Sequence, residues 1–120
     1  MQNVKRMKNG WREKNANVML NEQAMLIRLN PEVFDEAYLM TNELELAGIA
    51  VRMADENSEL SEHLITATVL GIRFVILIGK NERLIDQVRL LDMYDQQEMV
   101  MPMDQAIFVI ERTYPPADFT

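Results

Sequence analysis

The chain has 120 residues, no cysteine and a single histidine, His63; that length suits one compact domain and leaves little room for a second hydrophobic core. With 48% hydrophobic and 26% charged residues it has an ordinary globular composition, while the missing cysteines exclude disulfides and thiolate nucleophiles and the lone histidine excludes multi-His metal cages. The net charge of -7 is divided unevenly: residues 1–14 carry +4 through Lys5, Arg6, Lys8, Arg12 and Lys14 against Glu13, and the remainder carries -11, so the body repels a phosphate backbone at long range and only a local basic patch or the arm attracts one.

In chain order, the first element is the short apolar run Ala24-Met25-Leu26-Ile27-Arg28-Leu29, closed by Asn30-Pro31 and read as a buried strand. Asn30 stands where a helix N-cap belongs, Pro31 fits the first helical position, and Glu32, Asp35 and Glu36 suit the helix dipole. Val33, Ala37, Met40, Leu44 and Ala47 then form one apolar stripe at spacings of 4, 3, 4 and 3, ending at Gly48. Residues 49–54 read as a second short strand. The polar turn Asp55-Glu56-Asn57-Ser58 offers caps for a second helix with Leu60, Leu64 and Ala67 inward and Gly71 as its C-terminal cap.

Phe74-Val75-Ile76-Leu77-Ile78 is a continuous apolar run ending at Gly79, the pattern of a central strand covered on both faces. Strand, helix, strand, helix, strand with short connections predicts a parallel core of three strands. Residues 87–94, where Val88, Leu90 and Asp92 alternate with Arg89, Leu91 and Met93, and residues 98–101 predict a final strand pair around the turn Asp95-Gln96-Gln97. Pro102-Met103-Asp104 opens a last helix through Arg112, with Met103, Ala106, Ile107 and Ile110 inward, although residues 107–110 also read as a strand. The division is a flexible basic arm over residues 1–20, a domain over 21–114 and a tail over 115–120. Residues 1–20 lack the apolar core of a secretory signal, and an intracellular placement is expected, cytoplasmic first, with the nucleus also open.

Few chemical motifs are present. Gly79-Lys80 follows a strand, but a phosphate loop needs an earlier glycine and a Ser or Thr after the lysine, where Asn81 stands. Gly-x-Gly-x-x-Gly is absent, and no nucleophile is placed beside a base. Asp92 with Asp95, or Asp55 with Glu56, are oxygen donors of the type that hold hard cations, but acidic turns usually face water. His63 reads as a surface or half-buried side chain. The late cluster Met93, Met99, Met101 and Met103 reads as core filling or, less simply, as an adaptable binding surface.

One stretch is more specific. Ala67-Thr68-Val69-Leu70-Gly71-Ile72-Arg73-Phe74, the strand after it and Gly79-Lys80-Asn81-Glu82 resemble the C-terminal anticodon-binding domain of class II aminoacyl-tRNA synthetases of the histidyl, prolyl, threonyl and glycyl type. In that family a helix ends in Ala-x-x-x-Gly-Ile-Pro-Phe and the following strand closes with Gly-x-x-Glu. Leu46-Ala47-Gly48-Ile49-Ala50-Val51 looks like the family's earlier helix-to-strand junction, and the similarity spans about residues 24–112. The resemblance implies an α/β fold, a three-layer α/β/α domain with a five-stranded mixed sheet, and a base-reading face near the Gly-x-x-Glu loop. Carried over, it points to Gly79, Lys80, Asn81, Glu82 and Arg83, with Arg89 nearby. Arg73 occupies the family's proline position, Leu91 stands where the family has an arginine, and residues 61–66 hold no basic residue.

Two functions follow as expectations. The first is a non-catalytic module for tRNA or other single-stranded RNA, in which Lys80, Asn81, Glu82, Arg83, Arg89 and Arg73 face the RNA and the arm adds Arg12 for phosphate and Trp11 for stacking. The second is a detached paralogue that binds a protein partner or a second copy of itself, a reading that the lost basic positions favour. Neither calls for a membrane or a small-molecule cofactor. A catalytic core for aminoacylation is not encoded in these residues.

Overall fold

The computed structural model describes residues 22–55 and 58–114; the arm with Trp11 and Arg12, the tail, and Glu56 and Asn57 lie outside the described residues. Strands β1 (Ala24–Arg28), β2 (Val51–Met53), β3 (Phe74–Ile78), β4 (Val88–Asp92) and β5 (Gln97–Met101) form one sheet in the order β2-β1-β3-β4-β5. β1 pairs in parallel with β2 and β3, as the crossover pattern predicts, and β4 and β5 join antiparallel. The apolar run of β3 is therefore the middle strand, and all five of its residues are buried.

Period-2 alternation sends the two faces of the sheet to different layers. Leu26, Phe74, Ile76, Ile78, Val88 and Leu90 pack on one face against helices α1 (Phe34–Leu46) and α4 (Met103–Thr113), through Ala37, Met40, Leu44, Ala106 and Ile110. Met25, Ile27, Val75 and Leu77 face the other side and meet α2 (Leu60–Leu70) through Ala67, with Leu64 and Leu91 at the margin. The result is a three-layer α/β/α domain with a five-stranded mixed sheet. Residues 107–110 are helical, since the Ala106 and Ile110 spacing of 4 buries one stripe of α4. Of the late methionines, Met101 is buried, Met93 and Met103 are half-buried, and Met99 is exposed, so most of them fill core.

Several local expectations need correction. Pro31 opens a 3₁₀ turn, Pro31–Val33, ahead of α1, and Asn30 makes no side-chain cap there. The N-cap of α2 is Glu59, one residue past the expected turn, in a reciprocal capping box with Glu62. His63 is buried at 8% exposure, whereas Leu60 is 38% exposed. Both residues lie one turn from Ala67 or a multiple of it, and the helix settles with His63 and Ala67 on its inner side. Gly71 does cap α2, with φ 73°, a left-handed conformation that costs glycine little. A further short helix, α3 (Lys80–Leu84), stands where a loop was expected.

Candidate nucleic-acid interface

The end of β3, Gly79 and α3 meet the end of β1 at one corner of the sheet. Asn30, freed from capping α1, accepts the Lys80 backbone N–H through Oδ1 at 2.8 Å and so ties this corner to α3 across 50 residues of sequence. Gly79 fits this corner because it lacks a side chain: a Cβ there would stand 2.9 Å from Glu82 Oε1, 3.0 Å from Asn30 Oδ1 and 3.1 Å from Leu29 Cβ. Glu82, on α3, is buried and takes the Arg89 Nε–H at 3.1 Å. Arg89 in turn donates through Nη1 to Glu98 Oε2 at 2.6 Å.

This Glu82–Arg89–Glu98 chain links α3, β4 and β5. Arg89 pairs in register with Val100 and Leu91 with Glu98, so the Arg89 to Glu98 bond is a diagonal contact on one face of the hairpin. Its two carboxylates, Glu98 first, favour the charged guanidinium further. Lys80 Nζ lies 3.6 Å from Glu32 Oε2, a half-exposed pair that joins α3 to the 3₁₀ turn. Asn81 is exposed, and Arg83 follows on α3.

Arg73 is not part of this corner. It precedes β3, about 20 Å from Gly79 along the strand, and forms a bidentate pair with Asp92, Nε to Oδ1 at 3.0 Å and Nη2 to Oδ2 at 2.9 Å. Asp92 Oδ1 also accepts the backbone N–H groups of Tyr94 and Asp95. The Arg73 hydrogen bonds, reinforced by these, hold the Asp92 carboxyl below its ordinary 3.8. The guanidinium sits 5.1 Å from the Tyr94 ring centre and 5.2 Å from that of Phe74, with Asp95 3.5 Å away. Asp92 and Asp95 thus serve this arginine.

Between the two ends, one half of the sheet is open. α2 covers β1 and β3 on its face, and on β4 and β5, towards the Arg73 end, it leaves a cleft of about 430 Å³ lined by Thr68, Leu91, Asp92, Met93, Gln96, Gln97 and Glu98. Arg89 stands on the same face at 38% side-chain exposure, and Val100 is exposed. The arrangement is a platform of apolar and amide groups, with one arginine held between two carboxylates. Nothing in it supplies a nucleophile with a base.

Residues 23–113 match the family model described as anticodon binding domain. The chain belongs to that family. A histidine–tRNA ligase from Xylella fastidiosa is 30% identical over 83 residues, 69% of this chain and 18% of that protein. Another from Porphyromonas gingivalis is 24% identical over 94 residues, 78% of this chain and 21% of that protein. This anticodon-binding domain therefore spans about a fifth of the length of the curated ligases it matches. In fold it superposes on histidyl-tRNA synthetase from Nostoc sp. PCC 7120 with a TM-score of 0.74 at 22% identity, covering 78% of this chain and 22% of that one. The RNA binding domain of threonyl-tRNA synthetase from Cryptosporidium parvum gives 0.72 at 18% identity, covering 83% and 25%.

Two features of this anticodon-binding domain escaped the sequence. Asn30 as the tether of α3 depends on a contact between distant residues and left no local signal. The Arg73 to Asp92 pair did leave one: Asp92 continues the inward alternation of Val88 and Leu90, and a carboxylate placed inward needs a cation. Among the described residues no helix is long and apolar enough to cross a membrane.

Proposed function

We propose that the chain is a non-catalytic RNA-binding module that takes an anticodon-like, unstacked loop of tRNA on the open face of β4 and β5. The observation that carries this reading is family membership over nearly all the described residues. The open platform supports it chemically: unstacked bases lie on apolar and amide surface, and Arg89 offers charge at its edge. Lys80, Asn81 and Arg83 belong to α3, at the Gly79 corner beyond Arg89. Trp11 and Arg12 add stacking and phosphate contact from the arm, and Arg73 serves the far end of β3. The module requires no cofactor.

A second reading, a protein-recruiting paralogue, draws on one observation: Lys80, Arg89 and Arg73 each face carboxylates, which reduces their pull on phosphate. Fluorescence anisotropy of a labelled anticodon stem-loop separates the two. The RNA reading expects saturable binding at low salt, tightened by Glu98→Gln because Arg89 then loses one acidic partner, and weakened by Arg89→Gln. Binding that ignores both substitutions places the RNA elsewhere, and no binding at all favours the protein partner.

A further inference from the structure

The outer face of α1 is unusual for a solvent-facing helix. Tyr38, Leu39 and Leu46 are 55%, 60% and 83% exposed, and Phe34 stacks beside Tyr38 at 6.2 Å. Leu39, Asn42 and Leu46 follow one another at helical spacing, bordered by Asp35, Glu43 and Glu45, and residues 31–47 contain no basic side chain. Such a strip calls for a partner both apolar and cationic. Residues 1–14 have that chemistry: Val4, Met7 and Trp11 recur at spacings of 3 and 4 among five basic side chains.

The point where the chain enters the sheet favours the same pairing. The Gln23 N–H donates to Ala50 O at 2.7 Å, and the Ala50 N–H donates to Gln23 Oε1 at 2.8 Å. The chain thus joins the domain four residues beyond Leu46, at the C-terminal end of α1. The seven residues 15–21 reach about 23 Å when extended, comparable with the roughly 20 Å length of α1. We propose that the basic segment of residues 1–14 docks on the acidic, apolar outer face of α1 in its own chain. Its net charge of +4 meets Asp35, Glu43 and Glu45 along the strip, while Glu32 in the preceding turn already faces Lys80. RNA phosphates compete with α1 for the same cations, but the docking itself concerns the free chain and stands without RNA binding.

Trp11 is the only tryptophan, so its emission in the full chain reads the segment directly. Docking predicts a low-salt acrylamide quenching constant about half that of a free peptide of residues 1–14, rising to the peptide's value near 1 M salt, where the Debye length falls to about 3 Å. The doubly substituted chain Glu43→Lys, Glu45→Lys loses the protection, and Asp104→Lys, Glu111→Lys, with the same change in charge, keeps it. Circular dichroism of both variants verifies that they fold. Quenching equal to the free peptide's in the unmodified chain at low salt overturns the proposal. Equal loss in both variants overturns it as well, and so does protection that grows with protein concentration, which would assign the face to a second copy.

Discussion

Gly79 shows how far one missing side chain determines this site. A methyl group there meets Glu82, Asn30 and Leu29 within 2.9 to 3.1 Å, and Glu82 cannot swing away without losing Arg89. Gly79→Ala is expected to lower unfolding free energy by about 1–3 kcal/mol, readable as an earlier urea midpoint with an unchanged slope. Asp92 gives a pH prediction. Its carboxyl titrates lower in the folded chain than its ordinary 3.8, so its contribution is complete above that value and is lost as pH falls through it towards the folded value. Asp92→Asn is expected to reduce stability at pH 7 and to flatten the decline of the thermal midpoint between about pH 5 and pH 3. An unchanged decline would show that other carboxylates govern acid unfolding.

Elements were legible in the sequence where one physical signal dominated. The β3 run could only be a covered strand, and the stripe from Val33 to Leu44 could only face a core. α3 was not legible because its five residues, Lys80–Leu84, are too few to show a period. On α2 the stripe through Leu64 and Ala67 does face the sheet, but a second stripe through His63 shares Ala67, and it is His63 and not Leu60 that is buried. β5 has four exposed residues out of five, so burial imposes little alternation on it. The candidate site was half legible: the resemblance picked out Gly79, Glu82 and Arg89, but Glu98, which also holds Arg89, comes from β5 and Asp92, which holds Arg73, from β4, and local reading does not supply such pairings. α4 offers a test of the core at this scale. Ile110 is fully buried between helix and sheet, and Ile110→Ala is expected to cost about 2–5 kcal/mol, measured by denaturant unfolding.

For the whole molecule, charge distribution decides how the proposed RNA ligand would be held. The body carries -11 and the arm +4, and Lys80, Arg89 and Arg73 stand beside carboxylates. Counterion release on binding must then come mostly from the arm. The most direct test is the salt dependence of tRNA binding by the full chain and by a variant with Lys5, Arg6, Lys8, Arg12 and Lys14 all changed to Gln. The expected slope of log K against log salt is about -2 to -4 for the unmodified chain and close to zero for the variant. The absence of tRNA binding at low salt, or a slope unchanged by removing the arm's charge, would contradict the account.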